Sequence, residues 1–314
     1  MNFEFNNRNS ETIFVLVFST LLTLFGIYYF QFLIFLYPIL FIMLGVRHGL
    51  KYALINLAIS AILIGLIIDI ISGILMFIAF TPLTLTIIIM IIKRKSSIEV
   101  LISSTIVFLA SVLLVIGFID MNGVSIIGQL KMNITEIINS QMDLLGQMDL
   151  SNEEILDIKN LHRDYLQAVL AVIPSVIMIF SLAVSYLNYL LSTLLLRKLG
   201  YAIVYIPKFF NFKLPRNIFF GLAFMFLITF ILNNFNLFNS FEVILNLIVL
   251  TFFVFFIQGI SVIDYLLNQK KIKTLLRILI LWFVIDLAPV FGILILILGL
   301  FDAIFDFRKL RSGN

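Results

Sequence analysis

Long apolar stretches separated by short polar ones are the dominant pattern of this sequence. A helix needs ~20 apolar residues to cross the hydrocarbon core of a bilayer, and eight stretches reach or approach that length. We therefore predict an all-α, polytopic transmembrane helix bundle of about eight full spans, followed by a C-terminal helical hairpin. The predicted spans are 12–30, 31–46, 52–68, 70–92, 98–119, 166–193, 217–235 and 241–267, with the hairpin at 275–307.

Two apolar stretches are too long for a single crossing. Residues 52–92 are interrupted only near Asp69, so we predict that the chain turns there. Residues 275–307 would be about 50 Å long as one helix, and Pro289 lies in their middle. A single kinked span is the alternative, but a hairpin with its tip near Asp286–Pro289 keeps the C-terminal cations with the others.

The positions of the charges predict the orientation. With the N-terminus inside, all 21 basic residues except three fall on the cytoplasmic side, and so does the C-terminus. The exceptions are Lys131, Lys159 and Arg163, which share the segment 120–164 with eight acidic residues. We expect this segment to face outward.

The outer segment also carries helix signals. Ser151 followed by Glu154 forms a capping-box pattern, which predicts a helix that continues into the span from Leu166 and bends at Pro174. Isoleucine and leucine residues recur at helical spacing over 126–138, as in an amphipathic helix that lies on a membrane.

Composition narrows the chemistry. The chain is 62% hydrophobic and 12% charged, so lipid must be its main solvent. Its net charge of +4 comes from residues at span ends, which indicates topology and not a nucleic-acid partner. There is no cysteine, and the predicted topology separates His48 from His162. Without a nucleophile, phosphate-loop or metal-ligand motif, we predict no enzyme, no metal site and no cofactor.

Ionisable or polar side chains within spans are the candidates for ligand contact. We select Asn56, Asp69 and Asp286, although water at the turn or simple capping would also explain the two aspartates. Asp264 is expected to pair with Lys270 or Lys271. Asp302 and Asp306, with the cations that follow, are expected to form an interfacial charge cluster.

Two further features suggest contact surfaces. Small residues in the third span, Ala53, Ser60, Ala61 and Gly65, would let a neighbouring helix approach, either inside the bundle or as a partner. The basic, aromatic inner loop 197–216 suits the headgroup layer or a docking partner. Its proposed surface residues are Arg197, Lys198, Tyr201, Tyr205, Lys208, Phe209, Lys213 and Arg216.

Several short motifs carry a family resemblance. They are Tyr37-Pro38, Gly45-Val46-Arg47-His48-Gly49, Arg197-Lys198-Leu199-Gly200, Pro207-Lys208-Phe209-Phe210, Lys213-Leu214-Pro215, Gln258-Gly259 and the stretch from Leu298 to Lys309. With them the chain resembles the YybS-like family of multispanning proteins from Gram-positive bacteria. That family is in turn similar to S components of energy-coupling-factor transporters, which capture small molecules and pack small-residue helix faces against a membrane coupling subunit.

The resemblance implies a location in the bacterial cell membrane, with 12–193 as an S-component-like bundle and 194–314 as additional spans of one integral domain. We therefore expect a non-enzymatic, transporter-like protein that binds a small molecule or a partner within the membrane. One alternative is a scaffold that recruits partners through the loop 197–216. The other is a membrane enzyme that acts on lipid, with converging carboxylates such as Asp286 and Asp302.

Overall fold

The computed structural model describes residues 8–123, 125–145, 152–204, 206–215, 217–233 and 240–308. Contacts along the chain divide it into two compact units. Unit 1 comprises Met1–Asn133 and Ile177–Ile206, and unit 2 comprises Ile134–Val176 and Pro207–Asn314. The described residues form twelve α-helices: α1 (Arg8–Tyr28), α2 (Pro38–His48), α3 (Leu50–Ile67), α4 (Ile70–Ile92), α5 (Ser97–Met121), α6 (Ile126–Leu145), α7 (Asn152–Ala171), α8 (Ile173–Lys198), α9 (Ile218–Asn233), α10 (Ser240–Gln269), α11 (Thr274–Asp286) and α12 (Ala288–Phe305).

Eight helical segments in the described chain are long and apolar enough to cross a membrane, which confirms the predicted all-α polytopic bundle. They include α12 but not α9, whose apolar part, Ile218–Leu232, is shorter than a full crossing. The predicted span 217–235 runs past the described residues, which end at Asn233 here, and the second arm of the hairpin is longer than expected. The 31–46 span is built from a 3-10 helix, Gln31–Leu36, followed by α2.

Unit 1 packs around a chain of aromatic rings. Tyr37 contacts Phe41 and Phe80, with ring centroids 5.0 and 5.8 Å apart. Phe80 stacks on Phe108 at 5.7 Å, and Phe108 contacts Phe180 of α8 at 6.2 Å. These rings join α2, α4, α5 and α8 into one apolar core.

The predicted turn near Asp69 is present. Asp69 is the N-cap of α4, and its carboxylate accepts a bond from the backbone N–H of Ser72 at 2.8 Å. The turn brings α3 and α4 so close that a Cβ on Gly73 would lie 2.9 Å from the Cα of Gly65. Glycine at 73 is therefore required by the approach of the two backbones.

The C-terminal hairpin in unit 2 is also present, with its turn at Leu287. The guanidinium of Arg277, at the start of α11, lies over the ring of Phe210 at 5.3 Å. Arg308, just beyond α12, donates to the Phe210 carbonyl at 2.9 Å. Because both ends of the 275–307 stretch return to Phe210, the chain must reverse between them, and a single kinked span is excluded. The tip of the hairpin lies at Leu287, within the predicted stretch Asp286–Pro289.

Close packing against α10 fixes the second arm of the hairpin. A Cβ on Gly299 would collide with the carbonyl oxygen of Phe255, and one on Gly259 would collide with the carbonyl of Ile295. The two glycines thus allow α10 and α12 to cross with their backbones in contact, as small residues do in membrane bundles.

An asparagine side chain bridges the bend at Pro174. The helix breaks between α7 and α8, where the N–H of Ser175 donates to Oδ1 of Asn246 at 2.9 Å. Nδ2 of Asn246 donates in turn to the carbonyl of Ala171 at 2.6 Å. The amide of Asn246 therefore replaces the missing turn of helix, as backbone groups in lipid require. The predicted capping residue, Ser151, lies outside the described residues.

We expect Asn246→Leu to destabilise unit 2, because it leaves the Ser175 N–H and the Ala171 carbonyl without partners. The expected loss is about 1–3 kcal/mol of unfolding free energy, measured by denaturant titration in lipid nanodiscs. Asn122→Leu, at the exposed end of α5, is the control and should change stability by less than about 0.5 kcal/mol. Equal effects of the two substitutions would contradict the bridging role.

Candidate functional site

An apolar groove of about 390 Å³ lies between α3 and α4, beside the Asp69 turn. Its floor is formed by small residues, of which Ala61 and Gly65 belong to the set that we selected for partner packing. Its walls are longer apolar side chains, and two of them, Ile62 and Leu66, are 60% and 77% exposed. The full lining is Ala58, Ala61, Ile62, Gly65, Leu66, Ile70, Gly73, Ile74 and Phe77.

The other two small residues of that set lie inside unit 1. The hydroxyl of Ser60 is 2.8 Å from the hydroxyl of Thr20 on α1, and both side chains are buried. Ala53 is fully buried, and its Cβ would lie 3.0 Å from a Cβ placed on Gly45 of α2. The four residues thus divide between two faces of α3: one packs against α1 and α2, and one lines the groove.

Asn56 and Asp69 are not brought together. Asn56 is buried, and its Nδ2 donates to the carbonyl of Tyr52 at 2.8 Å. Asp69 is exposed at the turn, ~20 Å farther along the helix axis. The side-chain hydrogen bond from Ser72, followed by its backbone N–H, lowers the pKa of Asp69. The two residues therefore do not line a common pocket.

Asp286 and Asp302 are also separated. Asp286 is exposed at the end of α11, whereas Asp302 is buried near the far end of α12, about 20 Å away along that helix. The two carboxylates do not converge at one depth. In the described residues no group of three or more His, Asp or Glu side chains could hold a metal ion.

The most developed polar cluster surrounds Arg308 in unit 2. Its Nη2 donates to Oδ2 of Asp302 at 2.8 Å, and both side chains are 2% exposed. Asp302 also accepts a bond from Gln258 at 2.5 Å, and Arg308 donates to the hydroxyl of Ser261 at 2.9 Å. We expected Asp302 to cluster with the cations that follow it, and the pair with Arg308 confirms that contact, although Gln258 and Arg308 enclose the carboxylate. The interfacial position of the cluster stays a prediction.

The same cluster fixes one part of the loop 197–216. Arg308 donates to the carbonyls of Phe210 and Phe212, at 2.9 and 2.8 Å. Ser261 donates to the carbonyls of Phe209 and Phe212, and the N–H of Leu214 donates to Gln258 at 3.2 Å. The backbone over 209–214 is therefore held by buried side chains. No pattern in the sequence indicated that the residues of this cluster would contact one another.

The side chains of this loop section differ in exposure. Lys208 and Lys213 are exposed, Phe209 is half-buried, and Phe209 stacks on Phe212 at 6.4 Å. The Nζ of Lys208 lies 5.6 Å from the ring of Phe210. The section that belongs to unit 1 has exposed Lys198 and Tyr201, while Arg197 donates to the carbonyl of Val204 at 2.9 Å. Tyr205 and Arg216 lie outside the described residues.

A second ion pair in unit 2 corrects another prediction. Asp264 pairs with Arg277 at 2.8 Å, and Arg277 also donates to Asn268 at 2.6 Å. The expected pairing with Lys270 or Lys271 is wrong, because the hairpin returns Arg277 to α10 and its planar guanidinium offers two bonds to one carboxylate.

Unit 1 has a comparable cluster at the start of α1. The carboxylate of Glu11 is 1% exposed and binds Arg47 through one oxygen and His48 through the other, the latter at 2.9 Å. Arg8 lies over the ring of Tyr52 at 4.7 Å. These contacts join α1 to the turn between α2 and α3. A buried carboxylate with two basic partners is fully compensated, as buried charges must be.

The fold and these clusters define a multi-pass, all-α membrane protein. The chain belongs to the family described as "Predicted membrane protein (DUF2232)", whose model matches residues 12–303. No curated protein and no solved structure matches the chain. The resemblance to YybS-like proteins and to S components stays a prediction.

We expect Arg308→Met to destabilise unit 2 by about 3–5 kcal/mol, because it leaves the buried Asp302 carboxylate without its partner. The double substitution Arg308→Met with Asp302→Leu should cost clearly less than the two single substitutions summed. Unfolding in nanodiscs measures the cycle, and limited proteolysis after Lys208 should accelerate in Arg308→Met. Additive single effects with unchanged proteolysis would contradict the pairing.

The turn at Asp69 should weaken at acid pH. Because the folded-state pKa of Asp69 is lowered, its contribution to stability is complete above its unfolded pKa and is lost as the pH falls through the folded value. We expect Ser72→Ala to move the pKa of Asp69 back towards its ordinary range, measured by NMR titration of the carboxyl carbon. An unchanged pKa would show that the Ser72 hydroxyl does not hold the carboxylate.

Proposed function

We propose that this chain is a non-enzymatic, transporter-like membrane protein, related to S components, that binds a partner within the membrane. The groove between α3 and α4 carries the proposal. It is lined by small and apolar residues only, it opens on a surface of exposed isoleucine and leucine, and it lies between two helices that can cross a bilayer. A surface of this kind accepts another helix at short range.

The architecture of unit 1 supports the relation to S components. Its helices supply six of the segments that are long and apolar enough to span: α1, the 31–48 segment, α3, α4, α5 and α8. S components are compact helical bundles, and they use small-residue faces to contact a coupling subunit. We further propose that the protein lies in the bacterial cell membrane with both termini in the cytoplasm, because that orientation keeps nearly all cations inside.

The occupant that fits the groove is an apolar transmembrane helix of a partner. The groove contains no charged or hydrogen-bonding side chain, so it offers nothing to orient a polar small molecule. In lipid, two helices associate through close backbone packing, and the floor of Ala58, Ala61 and Gly65 permits it. A lipid acyl chain is the competing occupant.

A photoreactive amino acid at Ala58, in the groove, tests this proposal in intact cells. We expect a crosslinked adduct of one defined mass that contains a second membrane protein, and we expect Gly65→Leu to abolish it by filling the floor. The control is the same photoreactive residue at Ile55, which is 55% exposed on α3 and does not line the groove. Lipid adducts alone at both positions would overturn the proposal.

One observation favours the scaffold alternative. The backbone over 209–214 is held by Arg308, Ser261 and Gln258, so Lys208 and the Phe209–Phe212 stack are presented on a pre-organised segment. Pre-organisation lowers the entropy cost of binding a partner. A photoreactive residue at Lys208 that captures one soluble protein, with none captured at Ala58, would favour this alternative over the groove.

A further inference from the structure

Arg277 holds the turn between α10 and α11 against the loop 197–216. Its guanidinium donates to Asp264 of α10 at 2.8 Å and lies over the ring of Phe210 in the loop at 5.3 Å. Its backbone N–H donates to the carbonyl of Lys273, just before α11, at 3.0 Å. One buried contact therefore brings the loop, the end of α10 and the start of α11 together in unit 2.

Lysine side chains surround this contact. The Nζ of Lys208 lies 5.6 Å from the ring of Phe210, so Lys208 and Arg277 contact the same ring from two different elements. Lys273 is the N-cap of α11, and two further lysines form the turn that precedes it. All four lysines are exposed. We call this set the lysine patch: Lys208, Lys270, Lys271 and Lys273.

The lysine patch carries positive charge that nearby acids do not neutralise. In the described part of the chain, no ion pair joins any of its four lysines to an acid. Asp264 and Asp302 are buried, and Arg277 and Arg308 take their carboxylates. Asp306, the other acid at this end of unit 2, is half-buried. The arginines thus compensate the interior acids, and the lysines are left to the surface.

An apolar surface begins directly beside the lysine patch. None of the residues of α11 is buried. Leu275, Leu279 and Trp282 recur at helical spacing along one face of α11 and are 73%, 53% and 65% exposed. Cations beside an exposed apolar stripe match a phospholipid, whose phosphate meets the lysines while its acyl chain follows the stripe. A soluble acidic partner would leave the stripe uncovered.

We propose that the lysine patch binds the phosphate of an anionic phospholipid, with an acyl chain along the exposed face of α11. Three of the four lysines come from the turn between α10 and α11, so the site extends well beyond the basic loop. Lysine suits this ligand because its ammonium is a flexible point charge that needs no fixed geometry. The site lies in unit 2 and does not depend on the function proposed for the groove.

Native mass spectrometry of the full chain in detergent tests the site. Phosphatidylglycerol and phosphatidylcholine with identical acyl chains are added in equal amounts. We expect the unaltered chain to retain phosphatidylglycerol at least about tenfold more than phosphatidylcholine. The triple variant Lys208→Gln, Lys271→Gln and Lys273→Gln should lose this preference, because three of the four cations are gone. Equal retention of the two lipids by the unaltered chain would overturn the proposal.

A second triple variant provides a matched control. Lys51→Gln, Lys93→Gln and Lys198→Gln remove three exposed cations from unit 1 and leave the same net charge. This variant should keep the preference for phosphatidylglycerol. An equal loss in both triple variants would contradict a local site, because binding would then follow total charge.

Competition distinguishes the lipid from other anions. Excess inorganic phosphate should leave phosphatidylglycerol bound, because it cannot use the apolar stripe of α11. Displacement of the lipid by inorganic phosphate would contradict the role given to that stripe. Retention of an acidic soluble protein that needs the same lysines and that phosphatidylglycerol does not displace would overturn lipid as the occupant.

Discussion

Hydrogen bonding without water is the constraint on which the described structure depends. In the hydrocarbon core a polar group must find its partner within the protein. The bend at Pro174 shows the rule most clearly, because the amide of Asn246 supplies the donor and the acceptor that the broken helix lacks. The paired hydroxyls of Thr84 and Ser181 follow it too.

Buried charged side chains are under the same constraint, because each needs a partner of opposite charge. Each buried acid described near a helix end has a basic partner: Glu11 has Arg47 and His48, Asp264 has Arg277, and Asp302 has Arg308. Glu11 pairs with residues 36 and 37 positions away, and Asp264 on α10 pairs with Arg277 on α11, so these pairs set the positions of α1 in unit 1 and of the hairpin in unit 2. Such pairs add little stability compared with apolar residues, but removing one partner is costly, which makes them effective markers of position.

Periodicity and charge were sufficient to predict the helices, the turn at Asp69, the bend at Pro174 and the hairpin at Leu287. Each depends on local chemistry, namely an N-cap, a missing N–H or a length that a bilayer cannot accommodate. Partners across the fold were not predictable in the same way. Asp264 has two lysines nearby in sequence and still pairs with Arg277, because the hairpin places Arg277 against α10. Ser261 and Arg308 likewise gave no sequence signal, since their common target is backbone carbonyls, and Gln258 gave none because it accepts from the backbone N–H of Leu214.

The account rests most on the claim that the helices cross a bilayer with their cationic ends on the cytoplasmic side. Single cysteines at two exposed positions of unit 2, Asn139→Cys on α6 and Lys208→Cys in the basic loop, test it directly in intact cells. A membrane-impermeant maleimide should label Asn139→Cys at once and Lys208→Cys only after the membrane is permeabilised. Labelling in the reverse order, or of both positions from outside, would contradict the orientation and the function built on it.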